Sequence, residues 1–263
     1  MKRLLRVASL GIMVVFVAAA APATTVREEF DQIYPVSLGS EVTLENINGS
    51  VTVETWDRPE VRVRAEKVVK SSNPSRARES MKKLTINISS PGTGLRIATE
   101  HPRDSSGGIM SWVFGAGVDY SVKYRLTVPR EIDLDIETTN GGIEASGVRG
   151  SHRLGATNGT IRLHESSGDV QAATTNGSID AELRELGANP IRLSTTNGKI
   201  TIRLPSNLRA NLKASTTNGS IETDFPVKTT SFRKTRIDGE INGGGPELKL
   251  HTTNGSIRIY EID

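Results

Sequence analysis

The sequence has no cysteine, few aromatic residues and no long apolar run. The absence of cysteine excludes disulfides, a thiol nucleophile and thiolate metal sites. Aromatic residues make up only 4% of the chain, which suits a thin core of Ile, Leu, Val, Ala and Thr. The apolar stretch 10–21 is about 12 residues long, whereas a membrane-spanning helix needs about 20. Packing and backbone pairing therefore have to stabilise the fold.

The first 23 residues have the pattern of a secretory signal peptide. A basic start (Lys2, Arg3, Arg6) precedes the apolar stretch, and Ala21-Pro22-Ala23 fits a cleavage site between small residues. We expect an exported protein, periplasmic, on the cell surface or secreted after cleavage near Ala23. The chain has 33 Lys and Arg against 30 Asp and Glu, and removal of the three basic residues leaves 30 of each sign. A neutral mature chain gives no electrostatic case for binding nucleic acid.

A repeat dominates the C-terminal half of the chain. Six Asn-Gly pairs, each followed closely by Ile, are spaced by 18, 18, 21, 21 and 36 residues, and 36 equals two steps of 18. Thr-Thr precedes five of the six pairs. A fixed period of this size indicates one small unit stacked many times. The predicted corners are Asn140 and Gly141, Asn158 and Gly159, Asn176 and Gly177, Asn197 and Gly198, Asn218 and Gly219, and Asn254 and Gly255.

Apolar residues alternate with polar ones on both sides of each Asn-Gly pair, as in strands with one buried face. Two architectures fit this pattern. Asn-Gly can close a two-residue hairpin, which gives an antiparallel β-meander or sandwich. It can also form the corner of an all-β β-solenoid, like a right-handed parallel β-helix, built from repeats of about 18–21 residues. We favour the solenoid, because stacking explains why the whole Thr-Thr-Asn-Gly string recurs.

In a solenoid, the aligned Asn side chains are expected to hydrogen-bond as a ladder. Gly is expected to supply a positive φ at the corner. The Asn and Thr of each unit then serve the ladder and the corner, and do not form a ligand-binding row.

The chain divides into a signal peptide (1–23), an N-terminal β-rich region (24–117) and the Asn-Gly repeat (118–263). Within the N-terminal region, Asn48-Gly49 fits the repeat template. Pro74 is expected near the start of a short helix capped by Ser or Asn. Strands are predicted at 84–89, 95–100 and 118–128.

The segment Val118–Pro129, followed by 134–141 and the repeated Asn-Gly units, resembles the putative adhesin family of bacterial β-strand-repeat proteins, formerly a domain of unknown function. The resemblance covers about residues 40–260. It implies an envelope-associated β-repeat protein without established catalytic residues.

Few residues suggest chemistry. The four histidines occupy different positions in different units, with His152 predicted inward and His164 and His251 outward. The alternating carboxylates Glu131, Asp133, Asp135 and Glu137 support the enzymatic alternative, a carbohydrate-active enzyme on a solenoid. A solvated acidic face explains them better. We therefore predict no catalytic residue, metal or cofactor, and no enzymatic activity.

One apolar cluster lies outside the repeat, in a Gly- and Ser-rich loop. It either covers the core or contacts a partner or lipid surface through Ile109, Met110, Trp112, Val113 and Phe114. The predicted function is that of a non-catalytic adhesin or envelope scaffold. Its partner would be an envelope or cell-surface macromolecule: a protein, a glycan or a membrane surface.

Overall fold

A computed structural model describes residues 24–90, 92, 94–101 and 117–263 of the chain. These residues form 20 strands and one helix. The strands build two stacks, the front stack and the rear stack, which meet at the Asn-Gly corners. Apolar side chains of both stacks share a single core. No helix among the described residues is long and apolar enough to cross a membrane.

Each stack is listed below from one end of the molecule to the other, with strands numbered in chain order. The front stack contains β5 (Thr85–Ser89), β6 (Leu95–Glu100), β2 (Glu41–Asn48), β8 (Asp133–Asn140), β10 (Arg149–Asn158), the second half of β11 (Ile161–Asn176), β13 (Ile191–Asn197), β19 (Glu247–Asn254), β15 (Ala210–Asn218), β18 (Arg236–Ile241) and β17 (Val227–Arg233). The rear stack contains β1 (Thr24–Pro35), β4 (Glu60–Ser71), β7 (Val118–Pro129), β3 (Val51–Trp56), β9 (Ile143–Ser146), the first half of β11, β12 (Ile179–Leu186), β14 (Ile200–Pro205), β20 (Ile257–Ile262) and β16 (Ile221–Thr223).

Parallel pairing between successive coils confirms the β-solenoid. The front strands β8, β10 and β11 pair in parallel with Asn140, Asn158 and Asn176 in register. The antiparallel meander is wrong for this region. Antiparallel pairs occur among the described residues only near the ends of the stacks. At one end β1, β4 and β7 pair in this way, as do β5 and β6, and at the other end β15, β18 and β17 do.

The corner Asn side chains form a ladder along the whole stack. Each amide nitrogen donates to the amide oxygen of the preceding coil over 2.7–2.9 Å, through six bonds that join seven side chains. In stack order these are Asn48, Asn140, Asn158, Asn176, Asn197, Asn254 and Asn218. Apart from Asn48 they are exposed, so water competes for the same groups.

The corner glycines are required by close packing rather than by a positive φ at every corner. A Cβ on Gly159 would lie 1.8 Å from the carbonyl oxygen of Gly141, and one on Gly198 would lie 1.9 Å from that of Gly177. Among the corner glycines, only Gly49 and Gly255 have φ in the positive range. The expected positive φ was therefore the wrong reason for most corners.

The first Thr of each Thr-Thr pair points inward, and in four of the five pairs it binds the corner of the coil before it in the stack. The buried hydroxyl of Thr138, in the fifth pair, has no hydrogen-bond partner among the described residues. Thr174, Thr195, Thr252 and Thr216 each donate to a corner glycine carbonyl oxygen over 2.8–2.9 Å. Ala156 stands in this column, so the carbonyl of Gly141 receives no such bond.

The last coil does not follow chain order. Asn254 lies between Asn197 and Asn218, so β19 and β20 are inserted between two coils that precede them in the sequence. The 36 residues from Asn218 to Asn254 therefore do not contain an additional coil of the solenoid. Residues 227–241 instead form an antiparallel hairpin that pairs with β15 at the end of the front stack.

At the opposite end, the helix α1 (Pro74–Lys83) packs against β4 and β1. The Asn73 side chain caps it, as predicted, by accepting from the backbone N–H groups of Ser75 and Arg76. The predicted strands at 84–89, 95–100 and 118–128 form within one residue of their expected ends. Strands β2 and β3 pair with β8 and β9, so hydrogen bonding continues from the N-terminal region into the repeat.

We expect Thr195→Val to lower the free energy of unfolding by about 1–3 kcal/mol, because the Gly177 carbonyl loses its donor. Ala156→Thr should raise it by about 1 kcal/mol, since the new hydroxyl can reach Gly141. Denaturant unfolding measures both. The control is Thr196→Val, whose hydroxyl points outward and should change stability by less than about 0.5 kcal/mol. Equal losses at 195 and 196 would contradict this account.

Candidate binding face

The second Thr of each pair points outward and forms a column along the front stack. In stack order the column is Thr139, Thr157, Thr175, Thr196, Thr253 and Thr217. None of these hydroxyls hydrogen-bonds within the part of the chain that the structure describes, unlike the inward Thr column. Successive members are about 4.8 Å apart, the spacing of neighbouring strands. The corner therefore accounts for one Thr of each pair and leaves the other free.

A shallow trough of about 670 Å³ runs beside this Thr column. Its floor is formed by the small residues Gly155, Ala173 and Ser194, which are neighbours in register on β10, β11 and β13. Glu137 precedes them in the same outward column and His251 follows them. The trough is lined by Glu45, Asn46, Ile47, Thr99, Glu137, Thr138, Thr139, Gly155, Ala156, Thr157, Ala173, Thr174, Thr175, Ser194 and Thr196.

Sequence reasoning missed this face because it treated both Thr residues as corner residues. The signal was present in the strand period, which puts adjacent residues on opposite faces. The small residues of the floor were a second signal. The same outward column carries the larger residues Glu137 and His251 at its two ends, so nothing in the repeat limits it to small side chains.

Two of the four predicted carboxylates make cross-coil contacts. Asp133 accepts from the backbone N–H of Ser151 at 2.7 Å, and Asp135 pairs with Arg153 at 3.1 Å. Glu131 is exposed, and Glu137 lies at the trough. A glycosidase needs a carboxylic acid with a raised pKa.

Three carboxyl groups outside this set have lowered pKa values. At Asp31, Glu79 and Glu247, a neighbouring Arg or Lys lowers the pKa.

The histidines do not converge. His164 lies 3.9 Å from Glu144, Nδ1 of His251 lies 3.0 Å from the Ser215 hydroxyl, and His101 packs edge-to-face against Tyr120. His152 points inward as predicted and is only 1% exposed. Among the described residues, no three His, Asp or Glu side chains gather where a metal ion could be held.

The apolar cluster of Ile109, Met110, Trp112, Val113 and Phe114 lies outside the described residues. The described surface has an apolar patch formed by Leu38, Trp56, Pro59 and Pro129 around a depression of about 340 Å³. Arg58 lies over the Trp56 ring at 5.2 Å. This patch is on the first coil, outside the front trough.

His152 makes the core sensitive to acid. Its two ring nitrogens have no hydrogen-bond partner among the described residues, and its column neighbours are Leu134 and Val170. Burial lowers the pKa of His152. The nearby backbone groups of Ser167 and Val148, which do not reach hydrogen-bond geometry, and the charges of Asp133 and Asp169 oppose this only in part. The unfolded chain therefore binds a proton more readily than the folded one, and stability should fall as the pH drops below about 6.5.

We expect His152→Leu to raise the melting temperature at pH 7 and to reduce its loss between pH 7 and pH 5, because Leu fits the column and takes up no proton. Thermal unfolding at several pH values measures this. Burial lowers the pKa of His101 too, so His101 is a second source of pH dependence and stays unchanged in this variant. If the variant kept the full pH dependence of the original chain, His152 would not be its source.

The sequence and fold were compared with those of known proteins. The family model of Toastrack DUF4097 matches residues 124–260, more than half of the 263-residue chain. No curated protein matches the sequence.

Three solved structures are similar to this chain at low sequence identity. A putative cell adhesion protein from Clostridium sporogenes is 12% identical, with a TM-score of 0.48 over 90% of this chain and 100% of its own. A putative adhesin from Bacteroides fragilis is 13% identical, with a TM-score of 0.32 over 89% and 97%. One from Parabacteroides distasonis is 10% identical, with a TM-score of 0.31 over 89% and 97%.

The family match covers most of the Asn-Gly coils, and it confirms the resemblance drawn from residues 118–141 and the repeat. On the strength of this match, the chain belongs to the Toastrack DUF4097 family.

Proposed function

We propose that this chain is an exported, non-catalytic binding protein, an adhesin or envelope scaffold that holds a macromolecule against its front face. The observation that carries the proposal is the outward Thr column. Its hydroxyls have no partner within the described chain, yet the stack holds them in register at about 4.8 Å intervals. Regularly spaced, free polar groups on a rigid sheet favour contact with an extended ligand over reaction with a small one.

Repetition strengthens such contact without strong individual bonds. A ligand that binds one coil is held at high effective concentration next to the adjacent coils, so several weak contacts add up to stable attachment. The front face also needs no rearrangement to bind, because strand pairing already fixes its outward side chains. Rigid, repeated weak contacts suit adhesion or scaffolding of a cell-envelope or cell-surface macromolecule.

A second contact is proposed from the sequence alone, the segment with Ile109, Met110, Trp112, Val113 and Phe114. A Gly- and Ser-rich stretch that carries five large apolar residues suits a partner protein or a lipid surface. Its removal and the loss of the front face have different consequences, so one experiment separates them.

Co-sedimentation tests the binding proposal. The chain from residue 24 onward is mixed with membranes, peptidoglycan and outer polysaccharide in separate samples. We expect one fraction to carry the protein down, and Ala173→Arg to abolish this, because the long cation fills the trough. Ser146→Arg is the matched control on the outward side of the rear stack and should still sediment.

The double variant Trp112→Ala with Phe114→Ala tests the second contact in the same assay. Loss of sedimentation in this variant, with Ala173→Arg unaffected, would move the binding function from the front face to the apolar segment. Failure of the original chain to sediment with any fraction would overturn the binding proposal.

Export rests on the basic and apolar pattern of residues 1–23. We expect mass spectrometry of the protein recovered from a bacterial host to give a chain that starts close to Thr24. The variant Ala21→Arg with Ala23→Arg, which removes the small residues at the cleavage site, should keep the full length. Full-length original protein in the cytoplasmic fraction would contradict export.

A further inference from the structure

Gly155 is a glycine in the repeat that the fold does not require. Its backbone is outside the positive φ region, and a Cβ would meet only Glu137 Cγ at 3.5 Å, an ordinary contact. The corner glycines differ, since a Cβ there would meet a carbonyl oxygen at about 2 Å. Glycine inside a strand is destabilising, and it often marks a bulge, a tight bend, or the close approach of a ligand or another backbone. The pairing of β10 has no register shift, and no other backbone atom lies within 4 Å of the Cβ position, which leaves the approach of a ligand.

The neighbours of Gly155 extend the same opening. Ala173 and Ser194 continue the column over the next two coils, so three successive coils carry no side chain larger than serine there. Glu137 closes one end and His251 the other. The open floor is therefore about 10–14 Å long, from the strand spacing.

The polar groups around this floor select the ligand. Thr157 and Thr175 present free hydroxyls, which donate and accept hydrogen bonds. Glu137 has no ion pair within the described chain, so its carboxylate can accept from hydroxyl groups and repels anions. The lining contains no aromatic residue and no Lys or Arg. A ligand rich in hydroxyl groups and without negative charge fits this chemistry.

A peptide fits the same place less well. Peptides gain most from adding a strand to a free sheet edge. Strands β10, β11 and β13 are paired on both sides at the trough, so they offer no free edge. A peptide would be limited to side-chain contacts, whereas a sugar ring can lie flat on a floor without side chains.

We propose that the trough over Gly155, Ala173 and Ser194 binds an uncharged glycan chain that runs along the solenoid axis. This inference rests on the proposed function of the front face and names the ligand class for it. Glu137 and the Thr hydroxyls bind sugar hydroxyls, and Gly155 lets a ring approach the backbone.

Isothermal titration calorimetry with the full chain tests the glycan. The probes are cellohexaose and chitohexaose, which are uncharged, and a galacturonic acid hexamer, which is a polyanion. We expect at least one uncharged probe to bind, and the polyanion to bind at least tenfold more weakly. Failure of both uncharged probes, or tighter binding of the polyanion, would overturn the proposal.

Two variants localise the site. Gly155→Thr should raise the melting temperature, because Thr suits a strand, and weaken glycan binding at least tenfold by filling the floor. Thr157→Val with Thr175→Val should weaken it similarly without affecting the fold. The matched control, Thr52→Val with Thr127→Val, alters two outward threonines of the rear stack, away from the front face, and should bind normally. Unchanged binding in both trough variants, or equal loss in the control, would place the site elsewhere.

The glycan and the general binding function can fail separately. If Ala173→Arg abolishes sedimentation with an envelope fraction while both uncharged probes fail, the front face binds a protein or another polymer, and only the glycan assignment is wrong. If the original chain sediments with no fraction and binds no probe, both are wrong.

Discussion

The contact between stacked corners sets the geometry of the whole repeat. At each corner a glycine lies directly against the glycine carbonyl of the adjacent coil, where even one Cβ would be about 2 Å from that oxygen. This contact fixes the register, because a slip of one residue would bring Asn from one side, or Ser, Thr or Lys from the other at five of the six corners, into a space that only glycine fits. The same register aligns the Asn amides into their ladder and brings four of the five inward Thr hydroxyls to a glycine carbonyl.

Register at the corner also determines the surface. Once the corners are aligned, every column of outward residues is aligned too. A residue type that recurs at one position of the repeat therefore forms a continuous row along the surface. The outward Thr column and the floor at Gly155 both arise in this way. The fold supplies a rigid front face without side-chain bonds between the Thr hydroxyls, which leaves those hydroxyls available for a ligand.

The two ends of the solenoid are built differently from its middle. A stack of parallel coils would end in open edges, which invite pairing with other chains. Here antiparallel strands continue both stacks at one end, where helix α1 packs against β4 and β1, and they continue the front stack at the other end through the β17–β18 hairpin. The inserted coil of β19 and β20 gains a parallel neighbour on each side, so the last residues of the described chain are paired within the stack.

The sequence by itself determined the repeat unit, the alternation of buried and exposed residues, the corners and the helix cap at Asn73, because all of these follow from residues close together in the chain. Only the tertiary structure decided the order of the coils, since Asn197, Asn218 and Asn254 carry the same local signal and any order would align them. The tertiary structure also separated the two Thr residues of each pair into corner and surface roles. It also showed that the fold does not require glycine at position 155. Whether a Cβ fits there depends on which atoms of the neighbouring coil lie opposite, and the sequence does not reveal them.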